Sequence, residues 1–173
     1  HFGLTAQINR GVFLSRSDLV ARMDSDDISV PNRLWSLCDR MYGDPGLVAC
    51  GSGCFTINTY GLRFGVIRVQ DDHQFIDGCH LRGAGGALIH PSVIMRKAAL
   101  VEVGGYSEEM EPAEDLDLWL KLAEVGRLGN VSEPLLDYRI HSQSVTSKRR
   151  MEQLQAARRA VTATCTRRNI DSS

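Results

Sequence analysis

Apolar positions recur at helical spacing over residues 3–16, where Leu4, Ile8 and Val12 predict a first helix with Leu14 as a later apolar member. Leu19 to Met23 then reads as a short strand. Ser29 and Pro31 open a second helix to about Met41, because a proline near a helix start gives up only an N–H that would be unpaired there. Its expected buried face is Trp35, Cys38 and Met41 or Tyr42. Gly43-Asp44-Pro45-Gly46 is a turn, and Leu47–Cys50 a short buried strand. Phe55–Asn58 and Leu62–Val69 read as a hairpin around Tyr60-Gly61.

Further along, Asp71–Leu81 is a weak helix broken by the glycine-rich run 83–86. Ser92–Met95 reads as a buried strand and Lys97–Val103 as a short helix stopped by Gly104-Gly105. The strongest helical pattern is Glu114–Val125, where Leu116, Trp119, Leu120 and Ala123 fall on one face. Gly126 ends it. Arg127–Val131 and Leu135–His141 read as two last strands. A basic helix over Ser147–Arg168 follows, with Met151, Leu154, Ala157 or Arg158, Val161 and Cys165 as its apolar stripe. Strands alternating with helices predict an α/β fold with a mixed sheet.

Composition narrows the class. The chain has 173 residues, 43% apolar and 24% charged, which suits one soluble domain with a real core. A net charge of −1 gives no reason to expect a nucleic-acid partner. No apolar run is long enough for a membrane span, and the N-terminus lacks a signal-peptide pattern. The five cysteines are odd in number with no Cys-x-x-Cys pair, which favours reduced thiols in a cytoplasmic protein. No second ligand pair at zinc-like spacing accompanies Cys50 and Cys54.

The densest chemistry is Asp24-Ser25-Asp26-Asp27, three carboxylates after an apolar strand. Such charges repel, and a fold that gathers them usually supplies a cation. In a strand Asp24 and Asp26 would share a face at the sheet's C-terminal end, a pair suited to Mg²⁺ or Mn²⁺ with phosphate oxygens. The competing reading is a turn and helix cap before Pro31. An EF-hand is excluded, since Ser29 stands at the required glycine. Glu114 and Asp115 offer a general base, though the residues alone favour first-turn acids that oppose the helix dipole. His141 at a strand end could face a ligand, and His90 before Pro91 shapes a loop. The basic C-terminal segment (Lys148, Arg149, Arg150, Arg158, Arg159, Arg167, Arg168) is a solvated helix face or a peripheral membrane contact.

Four stretches in order, ARMDSDDISVPNRL (21–34), HPSVIMRKAALVEVGGY (90–106), EDLDLWLKLAEVG (114–126) and YRIHSQSVTS (138–147), resemble glycosyltransferase family 2. Gly3 to Ser15 is similar to the family helix before its acidic strand. The resemblance implies an incomplete GT-A, Rossmann-like mixed sheet over residues 1–146, flanked by helices, with a C-terminal helical extension over 147–173. It implies inverting, metal-dependent transfer from a nucleotide-diphosphate sugar to an acceptor hydroxyl of a glycan, lipid or small molecule. Asp24-Ser25-Asp26 would be the Asp-x-Asp motif: Asp26 the main ligand of Mn²⁺ or Mg²⁺, Asp24 on the ribose or metal, and Arg22 beside them on the nucleotide. His141 would be a further metal or diphosphate ligand. Asp115 would deprotonate the acceptor and Glu114 orient the acceptor or Asp115, with His90 and the glycine-rich run in the acceptor pocket.

The same resemblance implies that the family's first, base-binding strands are missing. That would leave a hydrophobic sheet edge, so self-association or a cover by the C-terminal helix is expected. A catalytically silent remnant serving as a binding or oligomerisation module is the alternative. The Gln-x-x-Arg-Trp motif of processive members is absent. A haloacid-dehalogenase-like phosphatase is disfavoured by Ile28, which stands where Thr or Val is needed.

Overall fold

A computed structural model describes residues 3–141 and 149–170. The readings for residues 142–147 of the last matching stretch, and for Ser147 and Lys148, lie outside the described residues.

The chain runs α1 (Leu4–Leu14), β1 (Leu19–Ala21), β2 (Ile28–Ser29), α2 (Arg33–Gly43), β3 (Leu47–Ile57), β4 (Arg63–Ile67), α3 (His73–Leu81), β5 (Ile94–Arg96), α4 (Lys97–Glu102), α5 (Glu114–Val125), β6 (Arg127–Arg139) and α6 (Arg150–Arg168). One mixed sheet has the order β1-β5-β3-β6-β2, with β4 paired to β3. β3 and β6 are parallel, and every other pair is antiparallel. This is the mixed α/β architecture expected from the alternation of strands and helices.

Helices cover both faces. On one, Leu37 and Met41 of α2 pack on Leu19, Leu47, Ile94 and Leu135. On the other, Ile76, Leu100, Leu118, Trp119 and Leu122 close over Val48, Ala49, Val93, Met95 and Leu128. Trp119 is fully buried, so Glu114–Val125 is the core helix its spacing predicted.

The structure corrects several local expectations. Leu47–Cys50 and Phe55–Asn58 are one strand, as are Arg127–Val131 and Leu135–His141 up to Arg139. Gly51 and Gly53 lie inside β3. A Cβ on Gly51 would stand 2.7 Å from the Asn130 side chain, and one on Gly53 would stand 3.0 Å from the Ile67 carbonyl. These glycines permit close approach rather than a turn. Pro134 is accommodated where the β3–β6 register shifts beside Gly53.

On α2 the inward face is Arg33, Leu37 and Met41, while Trp35 is 72% exposed. On α6 the buried residues are Ala156, Ala157, Ala160 and Thr164, and Met151 and Leu154 are exposed. Small side chains let α6 lie close against Ala113, Leu116 and Leu120. Arg167 pairs with Glu124, and Arg168 with Asp77, which pins the far end of α6. Thus α6 covers α5 and not a sheet edge.

Candidate functional site

The acidic segment is positioned by a turn, not by strand alternation. β1 ends at Ala21, and the Asp27 N–H donates to the Asp24 carbonyl at 3.3 Å. α2 begins only at Arg33 and has no side-chain cap, so the helix-cap reading fails while the turn reading holds. Arg139, at the end of β6, fastens this turn. Its backbone N–H donates to Asp27 Oδ1 at 2.8 Å, and its guanidinium donates to the carbonyls of Asp26 at 2.8 Å and Asn58 at 2.7 Å.

Arg33 ties the acidic segment to the loop that follows the glycine-rich run. It is 2% exposed, and its guanidinium donates to the carbonyls of Arg22 at 2.6 Å and Pro91 at 3.0 Å. A buried guanidinium needs such acceptors, because losing water around the charge is costly. Neither Arg33 nor Arg139 stood out in the sequence. Both are lone arginines whose partners are carbonyls distant along the chain.

Two adjoining cavities open here. One, of about 390 Å³, is lined by Arg22, Asp24, Asp26, Arg139, His141 and Arg149, among others. The other, of about 420 Å³, is lined by the glycine-rich run with Leu88, Ile89, Leu116, Leu154 and Ala157. His90, Pro91, Asp115, Tyr138 and Gln153 line both. The predicted residues Arg22, Asp24, Asp26, Glu114, Asp115 and His141 therefore meet around one cavity. Gln153 escaped notice because it reads as solvated helix surface, and Leu154 was read as part of a packing stripe rather than as a cavity wall.

The charges differ sharply between the two. In the first cavity Arg22 grips both oxygens of Asp24 at 2.7 and 2.8 Å, and His141 Nε2 lies 3.1 Å from Asp26 Oδ2. In the second, Asp115 is the only charged lining residue among the described residues. Burial raises the pKa of Asp115, partly opposed by the Leu116 N–H bond at 2.8 Å and by the Arg22 charge. Burial likewise raises Glu114. Asp27 is pushed up to about 6 by burial, with the neighbouring Asp24 and Asp26 charges adding to it. His90 is held well below its usual range by burial and is neutral.

A divalent ion needs converging donors. Among the described residues no group of three or more His, Cys, Asp or Glu side chains is gathered for one. Asp26 and His141 form a two-donor set of carboxylate oxygen and imidazole nitrogen, both partly exposed. Asp24 is engaged by Arg22.

No family model matches the chain. It is 28% identical over 153 residues to the amylovoran biosynthesis glycosyltransferase AmsE of Erwinia amylovora, covering 86% of this chain and 55% of that protein. It is 30% identical over 144 residues to the O-antigen biosynthesis glycosyltransferase WbnJ of Escherichia coli, covering 82% and 55%. It is 33% identical over 153 residues to the Escherichia coli UDP-Gal:alpha-D-GlcNAc-diphosphoundecaprenol beta-1,3-galactosyltransferase, covering 87% and 53%. The chain thus spans about half the length of the curated relatives it matches. Among solved structures, S. aureus TarS 1–349 in complex with UDP superposes with a TM-score of 0.66 at 15% identity, over 94% of this chain and 45% of that one. The fold is therefore that of glycosyltransferase structures such as TarS, and the chain's relatives in sequence are proteins named as glycosyltransferases.

Proposed function

We propose that this chain carries part of a glycosyltransferase site that moves a sugar from a nucleotide-diphosphate sugar to an acceptor hydroxyl, with inversion, as a GT-A family 2 enzyme. One observation carries the reading: Asp24, Asp26 and His141 share a cavity with Arg22, Arg139 and Arg149, and Asp115 sits on its border with a second cavity that, among the described residues, has no other charged lining residue. Cations favour a diphosphate, and their absence favours a neutral acceptor. Named relatives support a sugar nucleotide, since one is called a UDP-Gal transferase and TarS is seen with UDP.

In this reading Arg22, Arg139 and Arg149 face the diphosphate. Asp26 and His141 would hold Mn²⁺ or Mg²⁺, whose charge offsets that of the leaving diphosphate. Asp24, held by Arg22, stands on the nucleotide side. Asp115 accepts the proton of the acceptor hydroxyl, and burial, which raises its pKa, makes it the stronger base for that step. Attack from the second cavity on a sugar whose diphosphate lies in the first gives inversion. Glu114, buried at the helix start and lining the first cavity, orients the neighbouring Asp115.

The test is calorimetric titration with UDP and UDP-sugars, with and without Mn²⁺. Binding that rises with Mn²⁺ and loses that rise in Asp26→Ala supports the site. Absence of nucleotide binding by this chain and by an N-terminally extended one would leave the scaffold as a binding or assembly module.

A further inference from the structure

The border between the two cavities holds a histidine whose orientation is fixed from outside the site. His90 Nε2 lies 2.9 Å from the Tyr106 hydroxyl, and the ring stands edge-on to Trp119 at 5.7 Å and 79°. Tyr106, 3% exposed, is itself clamped by α1. The Asn9 side-chain amide donates to the Tyr106 carbonyl at 2.8 Å and accepts from the Tyr106 N–H at 2.9 Å.

The phenol is the stronger acid of the pair and imidazole nitrogen the better acceptor, so Tyr106 O–H donates to Nε2. The proton of the neutral ring then sits on Nδ1. Among the described residues no protein partner is found for Nδ1, and it is not among the sealed polar atoms left without one. It therefore opens toward the cavities that His90 lines.

We propose that His90 Nδ1–H is the specificity-determining contact to a neutral, hydroxyl-bearing glycoside acceptor, presented beside Asp115 by the Asn9–Tyr106 clamp. This deepens the donor and acceptor assignment above and rests on it. The second cavity fits such a ligand, with Leu88, Ile89, Leu116 and Leu154 for the apolar ring face and His90 and Gln153 for hydroxyls. Asp115 would repel an anionic acceptor there. Asn9 and Tyr106 are positioning residues.

Two probes separate this from the donor reading: UDP with Mn²⁺, and octyl N-acetyl-β-glucosaminide as the neutral glycoside. The expected result is glycoside binding that falls about tenfold in His90→Gln, which keeps an amide at the Nε2 position only, and is largely kept in His90→Asn, which mimics Nδ1. Tyr106→Phe should weaken the glycoside and leave UDP binding unchanged. Imidazole ¹⁵N spectra should show the Nδ1–H tautomer, which free histidine disfavours, and its loss in Tyr106→Phe. An Nε2–H tautomer in the unaltered chain, or UDP binding with no glycoside binding, would overturn the proposal. Glycoside binding without UDP binding would instead overturn the donor assignment and leave His90 standing.

Discussion

Asp26 and Asp115 are the same residue in opposite surroundings. Asp26 sits in a solvent-facing turn with a histidine and arginines about it, while Asp115 opens a core helix where burial lifts its pKa. A solvent-facing carboxylate among cations can share charge with a metal. A desolvated one can hold and release a proton. Environment, not residue type, separates the two roles.

Replacing Asp115 with Asn should break the contrast most severely. Transfer should fall at least about 10³-fold, roughly 4 kcal/mol of barrier, with UDP binding intact. Steady-state rates beside calorimetry check this, and equal losses in both would remove Asp115 from the chemistry.

Arg33→Met should act next, on both acids at once. It strands the Arg22 and Pro91 carbonyls and unties the two loops, costing about 3 kcal/mol in urea unfolding.

Asp26→Ala should cost about 10–100-fold in Mn²⁺-dependent UDP binding. The unfolding midpoint in EDTA should hardly move, because Asp26 is exposed.

The smallest effect is expected at Asp27, a third environment between the two. Its folded pKa of about 6 exceeds the usual 3.8, so the native state binds more protons between those values. Stability from this group is therefore present below pH 3.8 and lost as pH rises to 6. Asp27→Asn keeps the oxygen that accepts from Arg139. It should stabilise the chain at pH 7 by on the order of 1–2 kcal/mol and flatten the pH dependence in that window, measured in EDTA.

Local pattern made much of this legible. The α5 periodicity, the hairpin at Tyr60-Gly61 and the glycine stop at Gly104-Gly105 depend on neighbours in sequence, and the structure agrees with each. The stripe on α6 was misread because its seam is alanine. Burial there follows from close helix approach rather than from hydrophobic size. Trp35 was misassigned because the arc of α2 that faces inward is fixed by the sheet beneath it.

By itself, then, the sequence determined which segments coil or extend, and which residue types could carry chemistry, since both follow from side-chain spacing and ionisation. Only the tertiary structure decided that Gly51 and Gly53 sit inside a strand, that Arg33 and Arg139 tie the loops, and that α6 walls both cavities. It also decided that Asp115 is half-buried at the head of a core helix while Asp26 faces solvent. Desolvation and close approach depend on atoms far apart along the chain, and periodicity carries no record of them.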